Sequence, residues 1–422
     1  MTKTPWGQSE ELAAGKLSPG QRLAAEEVAR SQRERLFGAT VALVAEQGYE
    51  AMTVGELVAL SGVSRSAFYR HFADKRACFI ATMKAVLAQL MDVVAPSYDG
   101  RGGALRSFLE AIAAEPAAAR MFLLEAHAAG SEAQALIEET LGGLEALYAR
   151  AYAERRETEQ MPTELIGAVV GALRRVISVA LLRGEESELA GRAEELWDWS
   201  MSYGAPPRAL RRRSRAQLGP ALGGSGGASG RIIAGAGNAL ARSGYQATTI
   251  AEIAEQAGVS LRTFYAHFSG KEAVFWAALD AGQAQMFAQA LPAYRRTLTT
   301  QGWPQAIRAG CEALLDFLAG NPDFARLAFI ETQSLGPRGL ALRERTAETL
   351  RPFIEPGYER APGETNRVAS IAIPGAVTAL INNRVQAQGA ESLAGDGALA
   401  TYIVLAPFTG AEEACAVARG ER

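Results

Sequence analysis

Residues 53–75 read TVGELVALSGVSRSAFYRHFADK, and residues 249–271 read TIAEIAEQAGVSLRTFYAHFSGK. In the first stretch, Thr53 with Glu56 three residues on has the form of a capping box, which starts a short helix running to about Ser61. Gly62 stops that helix, and Ser64 can cap another over SRSAFYRHF. Thr249 with Glu252, then Gly258 and Ser260, repeat the pattern. Two short helices joined by a tight glycine-containing turn form a helix-turn-helix, whose second helix enters the major groove of DNA. Phe68 and Phe72, like Phe264 and Phe268, stand four apart and bury one face, leaving the first-turn side chains to approach bases.

Working outward, residues 48–79 match residues 244–275 at a constant offset of 196 without a gap, and 15 of the 32 positions are identical. Chance would give about two. The duplication continues more weakly. Pro116, Arg120 and Glu125 recur as Pro322, Arg326 and Glu331, and Gly184, Glu186 and Trp197 align with Gly389, Glu391 and Tyr402. A chain of 422 residues therefore reads as two related halves, as its length alone would favour. Apolar residues at three- and four-residue spacing (Leu36, Phe37, Val41, Val44; Ile232, Ile233, Leu240) make core-facing stripes ahead of each motif. Pro116 and Pro322 mark helix starts. The later segments are long, Ala-rich and apolar without the alternation of strands, so the expected fold class is all-α. The predicted boundaries are an N-terminal arm (1–29), a first DNA-binding head (30–78), a first helical core (79–203), a linker (204–230), a second head (231–275) and a second core (276–422). The linker combines RALRRRSR with GGSGGASG, a composition of flexibility and no core. Its arginines Arg208, Arg211, Arg212, Arg213 and Arg215 suit a solvated linker or, in a sharper reading, a minor-groove arm.

Composition narrows the function. Apolar residues make up 48% and charged residues 21%, an ordinary globular balance. Net charge is −3, so contact with a polyanion must come from local patches. Cys78, Cys311 and Cys415 show no metal or disulfide spacing, and reduced cytoplasm is the expected compartment. No stretch reads as a secretion signal or an uninterrupted bilayer span, so no membrane partner is expected. Three histidines, two of them inside the motifs, leave no catalytic or metal-ligating constellation, so neither enzyme activity nor a cofactor is expected.

Both 23-residue motifs closely resemble the DNA-binding signature of the TetR family. That resemblance implies two tandem TetR-like units, each a three-helix head plus a helical core for ligand and dimerisation, fused as an intramolecular pseudo-dimer. It also implies a double-stranded DNA operator and an unknown small-molecule effector as partners, and a monomeric chain with higher assembly left open. It assigns phosphate contacts to Thr53, Ser64, Tyr69, His71 and Lys75 in the first head, and to Thr249, Ser260, Tyr265, His267 and Lys271 in the second. Base reading falls to Arg65, Ser66 and Ala67, against Leu261, Arg262 and Thr263. Arginine pairs with guanine, whereas leucine, alanine and the threonine methyl meet apolar edges such as the thymine methyl. Kept phosphate residues with divergent base-facing ones predict an asymmetric operator.

Plainer roles stand beside these: His71 and His267 as satisfied helix-end histidines, and Tyr69 and Tyr265 as aromatics packing with their hydroxyls at the surface. His127, in MFLLEAHAAG, and Arg174 and Arg175, in GALRRVISVALL, suit an ion pair between core helices, a solvated face or an effector pocket. The last helices of each half (165–182 with 189–203; 368–385 with 399–408) are expected to form one bundle holding the heads about 34–36 Å apart. Gly235 and Gly237 each weaken a helix interior, making the second head the weaker. A ligand-binding or scaffold protein whose heads have lost DNA remains a competing reading.

Overall fold

The computed structural model describes residues 2–16, 24–155, 161–212, 226–361 and 368–421. A two-residue-per-strand antiparallel hairpin, β1 (Lys3–Thr4) and β2 (Gly7–Gln8), opens the chain. The remaining long elements are helices, so the chain is all-α as expected. The first repeat contains α1 (Ala25–Ala51), α2 (Val54–Ser61), α3 (Arg65–His71), α4 (Lys75–Val94), α5 (Gly103–Ala114), α6 (Pro116–Arg120), α7 (Ser131–Arg155), α8 (Thr163–Arg183) and α9 (Ala193–Met201). In the second repeat, α10 (Ala228–Ala247), α11 (Ile250–Gln256) and α12 (Leu261–His267) are followed by α13 (Lys271–Gln301), α14 (Trp303–Gly320) and α15 (Pro322–Phe329). The chain continues through α16 (Gly336–Glu348), α17 (Arg351–Ile354), α18 (Ala369–Gln388) and α19 (Gly397–Arg419). Pro116 and Pro322 open α6 and α15, where the absent N–H leaves no bond unmade.

The chain divides into two compact units that do not coincide with the repeats. One comprises the described residues of 1–155, 174–198 and 335–344, and the other those of 156–173, 199–334 and 345–422. In the first unit Leu36, Val41, Val44, Leu57, Phe68, Phe72 and Phe79 form the core of the first head. In the second, Ile232, Leu240, Ile253, Phe264 and Phe275 are fully buried at the matching positions. Also within the second unit, α8 approaches α18 so closely that a Cβ on Gly171 would sit 2.1 Å from the Ala379 Cβ. The Tyr203 hydroxyl donates to the Ile403 carbonyl at 2.9 Å, and that of Tyr402 to Gly204 at 2.7 Å.

Two expectations change. Residues 2–16 of the predicted arm are folded: Leu12 is buried in the core of the first head, and Trp6 lies 5.3 Å from the Phe37 ring. The early part of the predicted linker is docked, because Arg208 pairs with Glu421 at 2.6 Å and Arg212 with Asp396 at 3.3 Å. Its final residues, from Ala228, already belong to α10, while 213–225, including Arg213 and Arg215, lie outside the described residues. Residues 75–97 and α8 have the length and mean hydropathy to cross a membrane, but Lys84 and Asp92 interrupt the first and Arg174 and Arg175 the second; α8 is mostly buried, and α4 supplies Cys78, Phe79, Ile80 and Met83 to the head.

Candidate nucleic-acid interface

Each head is assembled by local capping. Thr53 accepts from the Glu56 N–H at 3.2 Å, and its own N–H donates to the Glu56 carboxylate at 2.8 Å, closing the capping box at the start of α2. Hydrogen bonds to that carboxylate from the Thr53 hydroxyl, the Gln47 side chain and the Thr53 N–H, in that order, hold the Glu56 carboxyl below its ordinary range. In the second head Thr249 accepts from the Glu252 N–H at 3.2 Å, but the Glu252 carboxylate accepts from Ser243 at 3.0 Å instead of closing the box. Half of the predicted second box is therefore absent, since a competing hydroxyl on α10 takes the carboxylate. Gly62 and Gly258 turn the chain at φ +63° and +61°, in the left-handed region that favours glycine. Ser64 then caps α3 through the Ala67 N–H at 3.2 Å, and Ser260 caps α12 through Thr263 at 3.1 Å.

The capped helices present a narrow exposed face. Arg65, Ser66, Tyr69 and Arg70 are exposed on α3, as are Leu261, Arg262, Tyr265 and Ala266 on α12. Tyr69 and Tyr265 keep 49% and 58% of their surface, and each ring stands edge-on to the buried phenylalanine beside it. Both are thus half packing aromatic and half available hydroxyl. Thr53, Ser64, Thr249, Ser260 and His267 are also exposed. One predicted base reader is displaced: Ala67 is 2% exposed and belongs to the head core, and its counterpart Thr263 is half-buried and bonded to Ser260 at 2.9 Å. Arg70 and Ala266, which the sequence reading did not select, stand on the face instead. Their signal was spacing, because positions one and four before them (Tyr69 and Ser66; Tyr265 and Arg262) are on the same exposed arc.

Three residues assigned to phosphates also acquire local partners. Lys75 Nζ donates to the carbonyls of Tyr49, Glu50 and Met52 at 2.9–3.2 Å, and Lys271 Nζ to those of Tyr245, Gln246 and Thr248 at 2.6–3.3 Å. An ammonium has three donors, so all are engaged in closing the C-terminal ends of α1 and α10. What remains for a phosphate is charge, not a hydrogen bond. His71 Nε2 lies 2.9 Å from Gln32 Oε1, and burial with the nearby Arg33 and Arg70 holds the imidazole below the ordinary histidine range.

A head-to-core clamp recurs in both units. Gly48 and Gly244, at φ +81° and +76°, break α1 and α10 before their last turn. The next N–H, of Tyr49 or Tyr245, donates to Glu125 at 3.1 Å or to Glu331 at 2.8 Å. Arg326 pairs with Glu331 at 3.4 Å, and Arg120 favours the ionised form of Glu125, whose carboxyl burial pushes upward. The recurrence of these arginines and glutamates was visible in the sequence; their use as a clamp was not.

Both heads resemble those of known proteins in sequence. The profile of "Bacterial regulatory proteins, tetR family" matches residues 36–82 and again 232–278. The chain is 28% identical over 145 residues to the HTH-type transcriptional activator FasR of Mycolicibacterium smegmatis, covering 34% of this chain and 65% of that protein. It is 39% identical over 80 residues to the HTH-type transcriptional repressor AcnR of Corynebacterium glutamicum, covering 19% and 41%. The matches thus span less than two thirds of either relative. A solved bacterial regulatory protein in the tetR family from Rhodococcus RHA1 aligns at 25% identity with a TM-score of 0.35, over 43% of this chain and 98% of its own.

Proposed function

Because the profile of the tetR family of bacterial regulatory proteins matches both of its heads, we propose that this chain is a member of that family and a DNA-binding transcriptional regulator that reads an asymmetric operator with two non-identical heads. The observation that carries this reading is the pair of exposed helix faces. Their scaffold residues repeat (Ser64 and Ser260, Tyr69 and Tyr265), while Arg65, Ser66 and Arg70 are replaced by Leu261, Arg262 and Ala266. Hydroxyls and capped helix starts contact phosphates, which fix register, and the divergent side chains specify bases. One head offers two guanidiniums and the other a single guanidinium beside an exposed leucine, so the half-sites differ in their guanine and thymine content. Covalent linkage keeps the heads together independently of protein concentration.

The regulator acts as a repressor released by a small molecule, since occupying a promoter requires DNA binding alone, whereas activation also needs a contact with the transcription machinery. For the effector, an open cleft of about 700 Å³ in the first unit, bordered by Asp99, Arg101, Arg106, Glu154 and Trp197, adjoins an apolar recess of about 40 Å³. Val94, Leu105, Phe108, Leu144 and Tyr148 line the recess, which must widen to admit more than a water-sized group.

Selection of duplexes by the full chain, followed by titration at several salt concentrations, tests the reading. We expect a non-palindromic site and a steep salt slope. Arg65→Ala should cost about 1–3 kcal/mol at one half-site only, and Arg262→Ala a similar amount at the other. A perfect palindrome would overturn the asymmetry, and binding that neither selects a sequence nor responds to salt would favour the scaffold reading.

A further inference from the structure

Each core reaches into its own head through a carboxylate. Gly48 and Gly244 combine a left-handed φ with an extended ψ of 165° and 161°, which turns the next N–H, of Tyr49 or Tyr245, out of the helical ladder. Glu125 Oε2 accepts the first at 3.1 Å, and Glu331 Oε2 the second at 2.8 Å. The glycines also make room, because a Cβ on them would stand 3.3 Å from Glu125 Oε2 and 3.4 Å from Glu331 Oε2. From its other side the same turn is held by Lys75 or Lys271, whose ammonium takes its carbonyls and lies 4.8 or 4.6 Å from the tyrosine ring centre. Four residues after each tyrosine stand Thr53 and Thr249, the N-caps of α2 and α11. Both carboxylates sit where the core chain changes its winding: Glu125 ends a π-helical turn (Met121–Glu125), and Glu331 opens a 3-10 turn (Glu331–Leu335) after α15. One residue corresponds to about 100° of rotation, so rewinding either turn would swing the carboxylate off its N–H.

We propose that Glu125 and Glu331 are positioning residues for DNA binding: each fixes the turn ahead of its own helix-turn-helix, and so the angle at which that head meets a duplex, without touching DNA. This inference rests on the DNA-binding reading above. A hydrogen bond to an ionised acceptor is among the stronger ones, and a partly buried N–H left without its acceptor costs more than the bond contributes net. The caps at Ser64 and Ser260 act within three residues and shape a head from inside, whereas the carboxylates come from 76 and 86 residues away. Lys75 and Lys271 begin α4 and α13 at the edge of the heads, so at this turn the carboxylate is the group that answers to the core. In the first unit Arg120, whose charge favours ionised Glu125, also donates to the Leu181 carbonyl near the end of α8. A displacement of α8 therefore bears on the first clamp.

The test compares the full-length variants Glu125→Ala, Glu125→Gln, Glu331→Ala and Glu331→Gln; the glutamine amide oxygen can accept the same hydrogen bond. Hydrogen exchange is first measured without DNA. We expect Glu125→Ala to speed exchange at residues 49–61 and leave 245–257 unchanged, Glu331→Ala to do the reverse, and both glutamine variants to follow the wild type. Affinity is then measured for a duplex selected by the wild-type chain from a random pool, at a temperature well below every variant's melting point, where loss of stability alone leaves binding unmoved. Each alanine variant should bind about tenfold more weakly and each glutamine variant within about twofold of the wild type. The inference is overturned if the alanine variants bind as the wild type does, if glutamine loses as much as alanine, or if exchange in the heads does not respond. A wild-type chain that selected no duplex would instead defeat the DNA-binding reading, and the exchange pattern would still decide whether each carboxylate holds its head.

Discussion

The two heads share a motif at 15 of 32 positions, yet they are supported differently. Against the first head lies the N-terminal hairpin segment: Leu12 fills the space over Gly38, and Ala13 sits 3.1 Å from where a Cβ on Gly62 would be, at the turn of the helix-turn-helix. Arg35 donates to the Ser61 carbonyl at 2.7 Å, tying α1 to the end of α2. At the matching turn of the second head, Gly258 has nothing within 4 Å of its would-be Cβ. Identical motif residues thus set the same glycine turn and serine cap in both heads, although the threonine box closes fully only in the first. Their stability is decided by what the rest of the chain places over the turn.

The largest test of that contrast is Leu12→Ala. Leu12 is 4% exposed within the first head's core, and deleting a buried leucine side chain costs about 2–5 kcal/mol. Amide hydrogen exchange should speed up in α1, α2 and α3 and stay unchanged in α10, α11 and α12. Equal acceleration in both heads, or none in either, would show that the hairpin is not a specific support.

Much of this was legible beforehand because it depends on neighbours in sequence. The serine caps, the left-handed glycines, the Phe68/Phe72 spacing and the proline helix starts all act within four or five residues. What escaped depends on residues brought together from afar. Lys75 reaches back 23–26 residues to three carbonyls, and Glu125 reaches 76 to the Tyr49 N–H. Ala67 escaped for another reason: in a seven-residue helix, one step from Phe68 is about 100° of rotation, and too few turns exist to settle which arc is buried. The hairpin strands, two residues each, are too short to show any alternation. Gly235 looked like a simple weakness, but a Cβ there would sit 2.8 Å from the Ala257 nitrogen, so its absence lets α10 approach α11.

A smaller effect separates the capping boxes. Thr53→Ala removes an acceptor for the Glu56 N–H and a hydroxyl that donates to the Glu56 carboxylate at 2.8 Å, whereas Thr249→Ala removes only the acceptor. Loss of a threonine cap costs about 0.5–2 kcal/mol, and the first head should fall in the upper part of that range and the second in the lower. Denaturant unfolding of the two variants, with hydrogen exchange to locate the loss, provides the measurement. Equal losses would mean that the second box closes in solution, with Glu252 leaving Ser243.

The smallest expected effect has the opposite sign and isolates what the second head lacks. Gly237 is buried in α10, where the first head has Val41, and a Cβ at this position would meet nothing within 4 Å. Gly237→Ala therefore adds a methyl group to open space and removes the backbone freedom of the unfolded chain, gains worth about 0.5–1 kcal/mol together. Gly235, two residues away, offers no such repair, because its missing side chain is what the helix contact requires. Slower exchange confined to α10, α11 and α12 in Gly237→Ala would place the second head's weakness in its own first helix. An unchanged second head would leave the turn at Gly258 as the source, since no described residue covers it as Ala13 covers Gly62.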